Sequence, residues 1–374
     1  MAIDRKLLIE NAIIDIDRRA NDRQLEAGEL YLKAMQGDRR ATMTLQEGVS
    51  TSDIPSLLAP AINVQFLANY AAQPVVWDQI VEDVIDAPDL GTVEFGGFDF
   101  DASDLIGIHD GDTFVGAGMP GVAEYGEYPA VNFTTETLNA TLRKFGLRFR
   151  FSWEAFVKTG NLDMLGKSIK FFSRKAAEAE DIALAKVMVS PAGVLNTAFT
   201  DVTGTPALTL ASLETAIGQS SSATVGGNPI NPRGYTLVVP TTLEMTAKNI
   251  LSITSILRTD GSDQYTVTPN TGNVKAVPFW ALQSVGNYTT ANAVDDNWIL
   301  VPTGTARPAL AEVFLEGYRT PLISVKDSGH FTLGGAGVPA REGSFESDDI
   351  STRGRHAVGA SIIENAGIMK SDGA

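Results

Sequence analysis

The sequence predicts an α+β fold, and three patterns support that prediction. Large apolar residues, most of them aromatic, alternate with basic or small residues over residues 144–153, which is the period of a strand with two chemically different faces. A long apolar stripe at steps of three and four residues then predicts a helix over Asn161–Met188. After about residue 206, short buried strand patterns alternate with short helical patterns, which is typical of a mixed α/β domain.

Composition excludes several kinds of site. The chain has 374 residues, 44% of them hydrophobic, with no cysteine and three histidines far apart in sequence. Disulfides, thiolate nucleophiles and cysteine-ligated metals are therefore excluded, and a histidine metal cluster is not expected. No run of about eighteen apolar residues occurs, so no membrane span is predicted. The net charge of −16 argues against a surface that grips nucleic acid, because phosphates require clustered lysine and arginine.

Charge is distributed unevenly along the chain. Between Ala41 and Leu142 there are sixteen carboxylates and no lysine or arginine, whereas the remainder has 29 acidic and 29 basic residues. Like charges on one compact body repel, so a monomer gains nothing from this segregation. We expect the acidic stretch to project from the body and to lie on a partner that supplies cations. In a self-assembling protein, that partner is a second copy of the chain.

The first 145 residues are predicted to form helices followed by a long loop. Residues 1–40 carry eight acidic and eight basic residues on an apolar helical pattern, which indicates either a solvated surface helix or an arm that packs on a neighbour. A second helix is predicted after Ser52-Asp53, ending by Pro74. From residue 86, nine glycines punctuate short strand-forming pieces, so an extended, twisted hairpin is predicted.

The C-terminal half is predicted to contain short elements. A helix is expected over 208–220, a buried strand over 235–239, and a helix to about Ile253 that begins with a capping box at 241–244. Residues 220–234 and 259–272 are predicted to be loops. Further strands are predicted over 276–282, 298–301, 309–315, 322–326 and 351–363.

Glycine motifs in the sequence do not predict a cofactor. Residues 116–121 match GxGxxG, but Pro120 lies inside the motif and the helix that a dinucleotide requires does not follow. Residues 335–340 fail in the same way. Residues 160–168 have five residues between the glycines where a P-loop has four, and Leu162 and Leu165 belong to the apolar helix stripe. We therefore predict no cofactor.

The sequence also offers no catalytic or metal set. Asp99 and Asp101 begin like a calcium loop, but Asp104 and Asp110 stand where glycine and glutamate are required, which leaves open only adventitious cation binding. Neither GxSxG nor HExxH occurs. His330 and His356 are predicted to be structural, and the chain is not expected to be an enzyme.

In order and spacing, these segments resemble the major capsid proteins of tailed bacteriophages. The resemblance rests on the strand 145–153 with the helix that follows it, and on segments 237–244, 298–302, 313–321 and 353–359. Together they cover most of the chain from about residue 50, and none is specific alone. The resemblance implies a Hong Kong 97-type capsid fold with an N-terminal helical arm, an extended β-hairpin loop, a peripheral domain with a long spine helix, and an axial α/β domain.

The resemblance also implies domain bounds. They are 1–50 for the N-terminal helical arm, 51–85 for an arm or peripheral helix, 86–145 for the extended acidic loop, 146–205 for the peripheral domain with spine helix 161–188, 206–296 for the axial domain, 297–366 for the return to the peripheral domain, and 367–374 for a C-terminal tail.

The function implied is that of a head protein of a tailed double-stranded DNA phage. Such a protein self-assembles into hexamers and pentamers of an icosahedral shell around the genome. The implied location is the virion, after assembly in the host cytoplasm. Portal, scaffold and cementing proteins are implied as further partners, with non-specific proximity to DNA and no membrane. Some members crosslink their shells through a lysine of the extended loop, but this loop has no lysine, so no such crosslink is expected.

The charge pattern gives a hypothesis for the contacts between copies. Loop carboxylates of one copy are expected to face strand and helix cations of its neighbour. The acidic positions are Asp99, Asp101, Asp104, Asp110, Asp112, Glu124 and Glu127, and the basic positions are Arg143, Lys144, Arg148, Arg150, Lys167, Lys170 and Arg174. Exposed ion pairs contribute only about 0–1 kcal/mol each, so they would set register while apolar contacts supply most of the affinity.

Three alternative functions are also consistent with the sequence. An encapsulin-type bacterial nanocompartment shell protein would share the fold, and particle diameter and the presence of DNA would distinguish it. A nucleotide-dependent oxidoreductase, suggested by the glycine motifs, would be stabilised by nucleotide. An extracellular calcium-binding β protein would show a calcium-dependent melting shift.

Overall fold

The computed structural model describes most of the chain from residue 54 onward. The described ranges are 54–100, 106–109, 112–115, 133–152, 161–225, 228–260, 263–269, 271, 273–305, 307–325, 330–331, 337–338 and 349–373, with a few positions between 25 and 41. The predicted arm of residues 1–50 lies largely outside the described residues. The loop positions Asp101, Asp104, Asp110, Glu124 and Glu127 also lie outside them.

Helices and strands alternate along these ranges, which confirms the α+β prediction. The helices are α1 (Ile54–Ala71), α2 (Asn161–Met188), α3 (Leu210–Ser221), α4 (Glu244–Leu251) and α5 (Trp280–Gly286), with 3-10 turns at Trp77–Gln79 and Thr241–Leu243. The strands are β1 (Asp83–Ala87), β2 (Gly91–Phe100), β3 (Ile106–His109), β4 (Asp112–Val115), β5 (Phe133–Ser152), β6 (Thr200–Asp201), β7 (Thr224–Val225), β8 (Asn228–Pro229), β9 (Gly234–Val239), β10 (Ile256–Asp260), β11 (Asp263–Val267), β12 (Val274–Pro278), β13 (Trp298–Thr303), β14 (Leu310–Leu315), β15 (Leu322–Val325), β16 (His330–Phe331), β17 (Gly337–Val338), β18 (Asp349–Ile362) and β19 (Met369–Ser371).

The first sheet is built around the two longest strands. Its order is β1-β14-β18-β5-β2, and β15 also pairs with β18. β1 and β14 are parallel, and the other pairs are antiparallel. Helix α2 packs on one face, because its apolar stripe, which includes Ile169, Phe172 and Leu184, is buried in the main core with α1.

The second sheet has apolar side chains packed on both of its faces. Its order is β12-β9-β13-β19-β6. Leu237 and Leu300 face a core formed with α3 and α4, while Val238 and Ile299 face the main core that contains α2. With both faces covered, β9 and β13 read as continuous hydrophobic runs rather than as alternating ones.

Local chemistry explains where some elements begin. Helix α3 starts at a capping box: the Thr209 side chain accepts a hydrogen bond from Ser212 N, and the Ser212 hydroxyl accepts one from Thr209 N. The capping box predicted at residues 241–244 is wrong, because that segment forms a 3-10 turn and Leu243 at the N-cap of α4 makes no side-chain cap.

Other predicted elements differ from the structure in type. Residues 276–282 were predicted as one strand, but β12 ends at Pro278 and helix α5 follows, with Ala281, Leu282 and Val285 buried on one helical face. The predicted loop 259–272 contains the β10–β11 hairpin, and the predicted loop 220–234 contains the short β7–β8 hairpin.

The C-terminal segment is part of the second sheet. Residues 367–374 were predicted to be a tail, whereas β19 pairs with both β13 and β6, and Ser371 is fully buried. Strand β13 lies beyond the predicted boundary at residue 296 and yet occupies the centre of this same sheet, beside β9. The division of the chain into domains stays a prediction.

Candidate functional site

A two-stranded ribbon extends from the first sheet. It consists of β2 and the first half of β5, paired from Gly91 opposite Leu142 to Phe100 opposite Phe133. At about 3.3 Å per residue, these ten pairs span roughly 30 Å. Among the described strands, β2 pairs with β5 alone. Asp99 stands near the far end of the ribbon, opposite Thr134, and Asp112 lies in the β3–β4 hairpin opposite His109.

The second half of β5 presents a cationic surface on the face of the sheet opposite to helix α2. Phe149 lies on the helix side, because its ring contacts Phe171 and Phe172 of α2 at centroid distances of 5.2 and 4.9 Å. Side chains alternate along a strand, so the even-numbered residues face away from the helix. We call the following exposed residues of β5 and β18 the cationic sheet face: Lys144, Arg148, Arg150, Arg353 and Arg355.

The register of β5 and β18 brings like charges together on this face. Arg353 lies directly opposite Arg148, and Arg355 lies opposite Gly146, two pairs further along and on the same face. Like charges directly opposite each other destabilise an antiparallel pair. The Arg148 guanidinium donates a 2.7 Å hydrogen bond to the Ser351 hydroxyl on the same face. Because this register places exposed arginines side by side, an anionic partner would relieve the repulsion between them.

An apolar cavity of about 220 Å³ adjoins the cationic sheet face. Leu90, Tyr318 and Leu322 line it and are 44%, 53% and 37% exposed. Two cations, Lys144 and Arg355, also line the cavity, and the Arg355 guanidinium lies 5.8 Å from the centre of the Tyr318 ring. The cavity therefore combines an apolar floor with positive charge.

Comparison with known families decides the class of this chain. The family model described as phage capsid protein matches residues 135–371, which is more than half of the sequence. The chain belongs to the phage capsid protein family. The match confirms the resemblance to phage capsid proteins. It includes the second half of β5, helix α2 and the core between the second sheet and helices α3 and α4, whereas helix α1 and the Trp77 turn of the main core precede it. No sequence among curated proteins matches this capsid protein significantly.

Solved capsid and shell structures resemble this capsid protein at low sequence identity. A virus-like particle from Pyrococcus furiosus is 9% identical with a TM-score of 0.41, covering 83% of this chain and 97% of that chain. The capsid of Myoviridae phage XM1 is 11% identical with a TM-score of 0.42, covering 77% and 88%. The holo-SrpI encapsulin complex from Synechococcus elongatus is 8% identical with a TM-score of 0.39, covering 78% and 85%.

The predicted contact cations of the capsid protein fall on two different surfaces. Lys144, Arg148 and Arg150 belong to the cationic sheet face. Arg143 is exposed on the helix side, because it lies opposite Val358 of the main core. The remaining cations, Lys167, Lys170 and Arg174, are exposed on α2.

Helix α2 neutralises part of its own charge. Arg174 Nε lies 2.6 Å from Glu178 Oε1, and Lys175 Nζ lies 2.5 Å from Glu178 Oε2. Burial raises the pKa of Glu178, but the hydrogen bonds from Lys175 and Arg174 outweigh it, so the pKa is lowered overall. The helix surface is therefore less available to an outside anion than its lysines and arginines suggest.

Two residues of the cationic sheet face were absent from the predicted set. Arg353 and Arg355 lie at alternate positions of a predicted strand, which was a signal that both point to one side. That they join Arg148 and Arg150 depends on the pairing of strands about 200 residues apart, which alternation alone does not provide.

A cluster of buried acids lies between α2 and the first sheet. Glu180 Oε1 accepts a hydrogen bond from the Tyr70 hydroxyl and lies 2.9 Å from His356 Nε2, while Oε2 lies 2.9 Å from Trp77 Nε1. Asp181 accepts 3.0 Å hydrogen bonds from the backbone of Val76 and Trp77 and from the Trp280 indole. Hydrogen bonds to these two carboxylates of α2 therefore connect the helix to α1, to α5 and to the Trp77 turn.

Glu312 lies next to this cluster and is fully buried on β14. Among the described residues, none donates a hydrogen bond to either of its carboxyl oxygens. Burial, with additional repulsion from Glu180 and Asp181, raises the pKa of Glu312 well above its ordinary value. Burial likewise raises the pKa of Asp181, against the opposing effect of its three hydrogen bonds.

Two kinds of site are absent from the part of the chain that the structure describes. No group of three or more histidine, aspartate or glutamate side chains in these ranges has the geometry to hold a metal ion. No helix in the same ranges is both long and apolar enough to cross a bilayer.

Proposed function

We propose that this capsid protein assembles with itself into the hexamers and pentamers of a closed icosahedral shell around double-stranded DNA. The observation that carries the proposal is the β2–β5 ribbon. It leaves the first sheet as an isolated pair of strands within the described chain, and two strands alone are marginally stable in water. Contact with a neighbouring copy would supply the surface that the ribbon lacks.

Charge supports the same proposal. The acidic stretch that contains the ribbon has no cation of its own, and the chain exposes cations on the sheet and on helix α2. The loop carboxylates of one copy, Asp99 among them, would then face basic residues of the next copy. The role is structural rather than catalytic.

Further partners follow from the same proposal. Portal, scaffold and cementing proteins would act at particular positions of the shell, and assembly would take place in the host cytoplasm. The net charge of −16 favours a wall that encloses DNA without adsorbing it, with no readout of base sequence.

Negative-stain electron microscopy of the purified protein tests the proposal directly. We expect closed hollow particles, or rings of five or six subunits at low concentration. A protein that stays monomeric at high concentration, by analytical ultracentrifugation, would contradict it. Particle diameter and the presence of packaged DNA in particles from the natural source separate a phage head from a nanocompartment shell of the same fold.

A further inference from the structure

The cavity beside the cationic sheet face opens next to two small residues. Lys144 pairs with Ala357, and Gly146 pairs with Arg355, so these four residues form a square on the face away from helix α2. The two long cations stand at the ends of one diagonal of the square, and the methyl group of Ala357 and the glycine stand at the ends of the other. Ala357 is part of the cavity wall, so space is left between the cations.

Two positive charges meet at this cavity. Diagonal neighbours in an antiparallel pair of strands lie about 7–8 Å apart, which is the relation of Lys144 to Arg355. One carboxylate between them can therefore accept hydrogen bonds from both side chains. Among the described residues, no carboxylate lies within ion-pair distance of either cation. The Arg355 guanidinium instead lies over the Tyr318 ring, which keeps it at the cavity.

The rest of the cavity wall is largely apolar. Its large apolar side chains come from four different segments and are Leu90, Leu315, Tyr318 and Leu322. Three of them are partly exposed, so an apolar ligand would gain by covering them. A cavity of about 150 Å³ can hold benzene. The cavity of about 220 Å³ therefore has room for one ring with a short side chain.

We propose that this cavity binds a small amphipathic anion, namely a monocarboxylate with a single aromatic ring or a short alkyl chain. Its apolar body would lie against Leu90, Tyr318 and Leu322, and its carboxylate would lie between Lys144 and Arg355. Such a ligand meets both requirements of the site, because it covers apolar surface and supplies the missing counter-charge. The proposal goes beyond the shell function and does not depend on it.

The position of the cavity indicates what a bound anion would do. Leu90 directly precedes β2, and Lys144 follows the half of β5 that belongs to the ribbon, so both lie next to the last ribbon pair, Gly91 and Leu142. Leu322 belongs to β15 of the first sheet. A bound anion would therefore contact the base of the ribbon and the sheet together, and its binding would stabilise that junction.

Three probes test the chemistry of the ligand by isothermal titration calorimetry of the purified protein. Hydrocinnamate has a ring and a carboxylate, hydrocinnamyl alcohol has the ring without the charge, and acetate has the charge without the ring. We expect hydrocinnamate to bind with a dissociation constant on the order of 0.1–1 mM. The alcohol and acetate should each bind weaker by about tenfold or more. Absence of saturable hydrocinnamate binding up to about 10 mM would overturn the proposal, as would equal affinity for the alcohol.

Matched variants test where the ligand binds. R355Q removes a cation of the cavity wall, whereas R353Q removes the cation two residues earlier on the same face of β18, which is not part of that wall. We expect R355Q and K144Q each to weaken hydrocinnamate binding about tenfold, and R353Q to weaken it less than about twofold. Hydrocinnamate should also raise the melting temperature of R353Q as it does that of the wild type, with a smaller rise for R355Q.

Circular dichroism verifies that the three variants are folded. Equal weakening of hydrocinnamate binding in R353Q and R355Q would contradict the site, and so would wild-type affinity in R355Q. Particle formation by each protein is followed separately by electron microscopy. A wild type that forms shells without binding hydrocinnamate would overturn this proposal alone, and a wild type that binds hydrocinnamate but forms no shells would overturn only the proposed function.

Discussion

Nε2 of His356 lies 2.9 Å from Oε1 of Glu180, so strand β18 and helix α2 are joined by a polar contact inside the main core. The same carboxylate accepts hydrogen bonds from Tyr70 and Trp77, which ties helix α1 and the turn after it to the same point. A buried carboxylate with several donors is stable only while all of them remain in place. This part of the capsid protein should therefore be sensitive to changes that preserve volume but alter charge.

Replacement of Glu180 by glutamine tests that sensitivity. The amide has nearly the same size but turns one acceptor into a donor, which would face one of the donors that Glu180 now satisfies. We expect E180Q to lower the free energy of unfolding by about 2–4 kcal/mol, measured by urea denaturation. Glu178 lies two residues away on the surface of α2, and E178Q should cost less than about 1 kcal/mol. Equal losses from the two variants would contradict this account.

Replacement of Glu312 by glutamine should change the dependence of stability on pH. The pKa of Glu312 is raised in the folded state, so the unfolded chain releases its proton first as pH rises above the ordinary value of 4.5. Stability from this group is therefore full below pH 4.5 and is lost as pH rises toward the folded-state pKa. E312Q removes this loss, so its melting temperature should exceed that of the wild type by several degrees near pH 8, with little difference near pH 4. A constant difference across this range would show that Glu312 does not titrate as described.

Substitution of Gly359 should weaken the junction between the ribbon and the sheet. A Cβ at this position of β18 would lie 2.3 Å from the backbone oxygen of Thr141, where β5 passes from the ribbon into the sheet. Backbone cannot move away as a side-chain tip can, so G359A should cost about 1–3 kcal/mol or more in unfolding free energy. Gly218 in helix α3 is a matched control, because a Cβ there meets nothing within 4 Å, and G218A should be neutral or slightly stabilising.

Removal of the helix cap tests the local structure beside the second sheet. Thr209 satisfies the Ser212 amide at the start of α3, so T209A should lower the unfolding free energy by about 1 kcal/mol. Thr215 lies in the middle of the same helix and is exposed, with its hydroxyl bonded to the Ala211 carbonyl, so T215A should have almost no effect. Thermal melting of both variants gives the comparison, and a loss in T215A as large as in T209A would argue against the cap.

Long periodic patterns made the central elements predictable from the sequence. Helix α2 was predicted with the bounds that the structure has, because its apolar stripe continues over 28 residues. The first half of β5 falls within the predicted extended hairpin, but its continuity with the strand at 145–153 was not predicted, since residues 133–142 contain four threonines and only a short apolar alternation at their end. Short apolar runs fit a strand or a helix equally well, so the predicted strand over 276–282 includes residues 280–282, which begin α5.

The residues of the candidate site were predictable from the sequence only where the alternation within a single strand shows which face they share. Alternation identified Arg148 and Arg150 as one face of β5, but Arg353 and Arg355 join them through a register that sequence patterns do not contain. The burial of Glu312 could not be predicted from the sequence either, because a single carboxylate in an apolar strand is equally consistent with a strand at the edge of a sheet, where its side chain would reach water. Tertiary packing against α2 decides its environment.

The continuity of β5 has a mechanical consequence. A continuous strand of 20 residues joins the ribbon to the sheet, so no loop between the two is available to act as a hinge. In the proposed shell, a change in the tilt of the ribbon would therefore be expected to strain the first sheet, beginning where β18 approaches β5 closely at Gly359 and Thr141.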